Sequence, residues 1–191
     1  MSKIITTFSR KFPAHHPRKG VDTFFCEQIY NSIGINYCKQ DELLSSLQKW
    51  NPSQPDYILI EFIQSLIPFI SETDQKHHTI RNGYRAKIGD QIKPCIWLFP
   101  GGRFAKGNQM IQFAPLLEIK SIYNFEMDHI GFFSINKRPY LLPEHAAEIN
   151  QLAKNDGLKM QEFYDWFTTS PGIRNTEFQG QIRVWNKELK Y

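Results

Sequence analysis

The hydrophobic pattern changes period near residue 71, and that change limits the fold more than any other feature of the chain. Ahead of it, Leu59, Phe62, Ile63, Leu66, Ile67 and Ile70 recur at the three-and-four spacing of one buried helical face. Beyond it, Leu117, Ile119, Tyr123, Phe125 and Met127 alternate with Glu118, Lys120, Asn124 and Glu126, the period of a half-buried antiparallel strand. Several antiparallel strands with helices set between them imply an α+β domain or a helix-decorated barrel and exclude a doubly wound sheet.

Local signals fill in the order. Residues 4–8 read as an opening strand, followed by an irregular basic stretch holding Lys11, His15, His16, Arg18 and Lys19. Asp22 is placed to cap a helix running to about residue 32. Asp41 opens a second helical pattern through Leu44, Leu47 and Trp50; Pro52 and Pro55 break it, and Asp56 caps a third. Strands are expected over 92–99, 110–113, 117–127 and 131–135. Pro143 suits the first turn of a helix reaching Ala153, and Asn155-Asp156-Gly157 is a turn signal. A helix with Met160, Phe163, Tyr164 and Phe167 on one stripe follows, and 181–185 closes the chain as a strand.

With 41% hydrophobic residues over 191 positions, the chain has the means to build one sizeable core, burying roughly 70% of its unfolded surface. The net charge of +4 is mild; it favours contact with a polyanion without demonstrating one. Cys26, Cys38 and Cys95 are an odd, widely spaced set with no C-x-x-C pair, so neither a disulfide framework nor a zinc site is expected. Buried free thiols fit better. Residues 1–10 lack the apolar core of a secretory signal, and the apolar run 57–70 is too short and interrupted to span a bilayer. A cytoplasmic protein of one domain, 1–191, is the expectation.

The segment Lys76-His77-His78-Thr79-Ile80-Arg81, with Arg85 and Gly89-Asp90 after it, resembles the signature of ASCH domains in the PUA-like superfamily. Further matches to a longer bacterial and phage-associated variety run through most of the chain. They are Phe12-Pro13, His16-Pro17, Gly20, Trp97, the run Ala153-Lys154-Asn155-Asp156-Gly157, and Gly180-Gln181-Ile182 through Trp185-Asn186. The resemblance implies a mixed PUA-like β-barrel decorated with helices. Residues 38–70 would then be a helical insertion absent from compact members, open to a protein partner.

Two functions follow from that resemblance. The first is a binding module for RNA or a nucleotide or nucleoside, in a barrel cleft near Thr79 and Arg81, with His78, Arg85 and Trp97 as further ligand contacts. The second is a metal-independent amidohydrolase removing an acyl group from acylated cytidine-type nucleosides. Lys76 and Thr79 match two of that type's catalytic positions, and Asp156 stands where a Glu is usual, one methylene shorter. A Thr hydroxyl needs a base, and a Lys serves only with its pKa lowered by burial or a neighbouring cation such as His77, His78 or Arg81. If 78–81 is a strand, Thr79 and Arg81 share one face, and His78 and Ile80 the other.

Each of these residues also has a plain structural use. Asp156 before Gly157 suits a turn, and Arg81 an ion pair that holds strands together. The pairs His15-His16 and His77-His78 point apart on an extended chain, so no metal is expected, and no cofactor. Arg103, Phe104 and Lys106, in the Gly-rich loop 100–109, fit either contact with phosphate and base or a hairpin connection.

Overall fold

The computed structural model describes residues 1–35, 40–70, 73–98, 106, 108–168 and 177–191. Their elements are β1 (Lys3–Thr7), α1 (Phe25–Ser32), α2 (Gln40–Trp50), α3 (Asp56–Ile70), β2 (His78–Asn82), β3 (Gln91–Trp97) and β4 (Met110–Gln112). They continue with β5 (Leu117–Glu118), β6 (Ser121–Met127), β7 (Phe133–Ile135), β8 (Arg138–Tyr140), α4 (Ala146–Asn155), α5 (Met160–Thr168) and β9 (Phe178–Val184). The class is α+β, as the change of period requires.

Two open sheets form. The first runs β1-β3-β4 with β5 also on β3, and its β1–β3 pair is parallel, with Lys3 opposite Gln91 and Thr7 opposite Cys95. The second runs β2-β9-β6-β7-β8 and is antiparallel throughout. The expected closed barrel is not found among the described strands: β2 and β8 end one sheet, β1 and β4 the other, and no ladder joins them.

The stretch expected as one strand over 117–127 is two, and they belong to different sheets. Leu117 pairs Ile92 in the first sheet, whereas Ser121 pairs Val184 in the second. Between them the Ile119 N–H donates to the Asp90 carbonyl, and the Lys120 N–H donates to the Val184 carbonyl. Alternation survives this crossing because Leu117, Ile119, Phe125 and Met127 are all buried while Glu118, Lys120 and Asn124 are exposed, so period alone does not reveal the change of partner.

Asp22 does not cap α1. The residue ahead of the helix is Phe24, in the left-handed region at φ 57° and without a side-chain cap, while Asp22 bridges to Lys11 at 3.4 Å. Similarly, α4 begins at Ala146, after a turn that contains Pro143. The hairpin strand β8 had no sequence signal, for Arg138-Pro139-Tyr140 contains a proline tolerated only at a sheet edge.

Helices α2 and α3 are continuous with the main core. Leu47, Leu59 and Leu66 are fully buried in the same cluster as Ile92, Ile96 and Ile111 of the first sheet and its neighbours. Asn51, just after α2, pairs with the backbone of β4: its Oδ1 accepts from the Gln112 N–H and its Nδ2 donates to the Gln112 carbonyl, both at 2.8 Å. The basic stretch 11–20 packs down as well. His16 stacks on Phe12 at 4.3 Å, Arg18 covers the same ring, and Arg18 pairs with Glu162 of α5. Cys26 and Cys95 are buried free thiols, and Cys38 lies outside the described residues. No helix among the described residues is long and apolar enough to cross a membrane.

Candidate functional site

The site is built where the lead-in to β2 is pinned between α1 and the end of α4. The Lys76 N–H donates to the Gln28 carbonyl at 3.1 Å, and the His77 N–H to the Asn155 carbonyl at 2.9 Å. The C-terminal strand holds the other side, with the Trp185 N–H donating to the His77 carbonyl at 3.2 Å. Gly157, at φ 78°, ends α4 so closely against α1 that an added Cβ would meet Gln28 Oε1 at 2.0 Å, so a side chain there would strain the backbone and displace the Gln28 amide.

Lys76 and Asp156, far apart in sequence, meet in this corner. Lys76 Nζ donates to Asp156 Oδ1 at 2.5 Å and also to the Asp156 carbonyl, and it stands 4.3 Å from the centre of the Phe25 ring. The ammonium thus caps the free carbonyl end of α4. Both side chains are buried. Burial pushes the Lys76 pKa down to about 8, against the opposing pull of Asp156, with Arg81 lowering it further. Burial likewise raises the Asp156 carboxyl above its usual range, while Lys76 and Arg81 oppose that shift.

His78 turns toward the same corner. Its Nε2 lies 3.8 Å from Asp156 Oδ1, beyond a hydrogen bond, and has no partner. Its Nδ1 meets the Tyr191 hydroxyl at 2.5 Å, and Asn155 Nδ2 donates to the same hydroxyl oxygen at 3.1 Å. The phenol hydrogen, with no other acceptor among the described residues, is left for His78 Nδ1, so the neutral imidazole carries its proton on Nε2. Burial, then the charge of Lys76, holds His78 well below its ordinary pKa and therefore neutral. His78 consequently does not supply the cation that would lower Lys76; desolvation does so.

The other face of β2 carries Thr79 and Arg81, as strand alternation requires. Across β9, Thr79 stands opposite Arg183, and Arg81 opposite Gln181. Arg81 crosses to the first sheet: its Nη2 donates to the Thr7 carbonyl at 2.9 Å, and its guanidinium lies 5.1 Å from the centre of the Phe8 ring. Arg81 forms no ion pair among the described residues, in contrast to the structural pairing expected of it. Its Nε and that of Arg183 are both buried without a partner, and so is Thr6 Oγ1 on β1. No described residue hydrogen-bonds the Thr79 hydroxyl. Burial lowers the Arg81 pKa to about 10, with Asp156 opposing and Arg183 adding to the shift, and burial also lowers that of Arg183. Both remain cations at neutral pH.

The remaining sequence-derived residues are dispersed. Arg85 is exposed in the turn after β2, Trp97 is half-buried at the end of β3 opposite Met110, and Lys106 is exposed. Arg103 and Phe104 lie outside the described residues. Among the described residues, no group of three or more His, Cys, Asp or Glu is arranged to hold a metal ion. Sequence reading missed Arg183, Gln181 and Tyr191. The signal available was the polar alternation of Gln181 and Arg183 with Ile182 and Val184 in the closing strand, which resembles an ordinary solvent-facing pattern although all four residues are buried.

No family model, curated protein or solved structure matches the chain.

Proposed function

We propose that the protein is an ASCH-type binding module of the PUA-like kind, taking RNA or a nucleotide or nucleoside between its two sheets at the face of β2 that bears Thr79 and Arg81. One observation carries this reading: Arg81 spans from β2 to β1 with a buried Nε–H that has no partner among the described residues, beside a Thr79 hydroxyl that none of them hydrogen-bonds. A guanidinium that reaches only a carbonyl and an aromatic ring retains donors for phosphate or a base edge. Fluorescence anisotropy with a single-stranded RNA at low ionic strength tests it. Binding is expected to weaken with added salt and to fall about tenfold or more in Arg81→Gln. Absence of any RNA, nucleotide or nucleoside binding under those conditions overturns the reading.

A second reading is favoured by the Lys76–Asp156 contact, with Lys76 lowered to about 8. In an amidohydrolase of acylated cytidines, unprotonated Lys76 would take the Thr79 proton as Thr79 Oγ bonds to the acyl carbon. The C–N bond then breaks, the proton leaves on the amine, and water cleaves the acyl-enzyme. Burial of Lys76 and the absence of a hydrogen bond from Thr79 to it weigh against this reading. Release of cytidine from N4-acetylcytidine by the wild type, abolished in Thr79→Ala, would support it; equal behaviour of the two proteins would sink it.

A further inference from the structure

Arg183 is the largest buried group whose chemistry the fold leaves unused. It lies mid-strand in β9, opposite Thr79 on one side and Ile122 of β6 on the other, and it is 6% exposed. It forms no ion pair or side-chain hydrogen bond with any described residue, and its Nε has no partner. Across the ladder, Gln181 satisfies itself on the Ala86 backbone, accepting from its N–H at 3.1 Å and donating to its carbonyl at 3.3 Å. The polar face is therefore not generally starved of partners; among its charged groups the deficit falls on the two arginines.

The charges around Arg183 are out of balance. Arg183 has no acidic side chain acting on it among the described residues, and its neighbour Arg81 has only the Asp156 carboxylate. That carboxylate is already held by Lys76. Two neighbouring guanidinium charges, that of Arg183 buried and that of Arg81 partly so, are costly to hold together unless an anion offsets them. Planar guanidinium forks with free N–H groups, beside a Thr79 hydroxyl that no described residue engages, match the oxygens of phosphate better than the single charge of a carboxylate.

We infer that Arg183, with Arg81 and Thr79, forms a subsite for a phosphate monoester dianion, so that the preferred ligand is a nucleoside monophosphate or a chain end bearing a terminal phosphate. This rests on the nucleotide-binding reading above. A phosphodiester within a polymer carries one charge and leaves half the excess unmet.

Titration of the full-length protein with CMP, cytidine, inorganic phosphate and a 5′-hydroxyl oligocytidine tests it, using wild type, Arg183→Gln and Arg183→Lys. The wild type is expected to bind CMP about 30-fold more tightly than cytidine, a gap that Arg183→Gln closes and Arg183→Lys narrows. Equal affinity for CMP and cytidine, a gap that survives Arg183→Gln, or tighter binding of the 5′-hydroxyl oligomer than of CMP overturns the subsite while nucleotide binding stands. Phosphate bound through Arg183 with no preference for CMP upholds the anion site and overturns the nucleotide reading. Unliganded Arg183→Gln is expected to melt no lower than wild type, since it loses an uncompensated buried charge; a lowered midpoint would mean that Arg183 has a structural partner and overturns the inference.

Discussion

Glu27 illustrates how one buried side chain sets a pH dependence. It lies on the inner side of α1, next to a cavity of about 50 Å³ that Arg10, Asp22 and Ser65 help to line. Burial raises its carboxyl from 4.5 to about 6, with a smaller push from Asp22, against the lowering effects of its own backbone and Arg10. Between pH 4.5 and 6 the native state holds a proton that the unfolded chain has lost, so stability falls as pH rises through that window. Above it the penalty is on the order of 2 kcal/mol. Urea unfolding of Glu27→Gln is expected to show no such slope and a gain of about 1–2 kcal/mol at neutral pH. A slope unchanged from wild type would assign the dependence to another group. At the same scale, removing the Asp156 carboxylate in Asp156→Ala leaves Lys76 buried without its counter-charge, and a loss of about 3–5 kcal/mol is expected by the same measurement.

Among the elements, the edge strand β4 pairs with β3 on one side and takes a side chain in place of a neighbouring strand on the other. Asn51 gives the Gln112 backbone both an acceptor and a donor, as a neighbouring strand would. Asn51→Ala leaves that N–H and C=O buried and unpaired, at a cost of about 2–4 kcal/mol, readable as a shift in unfolding midpoint and faster amide exchange at Gln112. The helices themselves were legible in the sequence because their periodicity is local: Leu59 to Ile70 sits where its spacing placed it, as do Phe163 and Phe167 of α5. The strand over 117–127 was legible as strand but not as two. Alternation states which residues are buried, whereas the switch from β3 to β9 depends on partners distant in sequence. Asp22 is not the cap because the helix starts at Phe25, which leaves Phe24 in the cap position, and the Asp22 carboxylate pairs with Lys11 instead.

For the whole molecule, the layer formed by α2 and α3 is the test of how far residues 40–70 are separable. Leu47, Leu59 and Leu66 are fully buried against the rest of the core, and Arg10 reaches α3 through Ser65 at 3.0 Å. Replacing 40–70 by a short flexible linker is therefore expected to abolish cooperative unfolding, followed by circular dichroism on heating; a retained sharp transition would show the layer to be dispensable. The sequence by itself determined the class of fold, the helical faces, the burial of Cys26 and Cys95, and the shared face of Thr79 and Arg81, because each rests on short-range period or on one residue's chemistry. Tertiary contacts alone make the described strands two open sheets, bring Lys76 to Asp156, and set Arg183 opposite Thr79 with no ion pair among the described residues. Those facts depend on which strand lies beside which, and on what covers a polar face, and neither is written in the spacing of nearby residues.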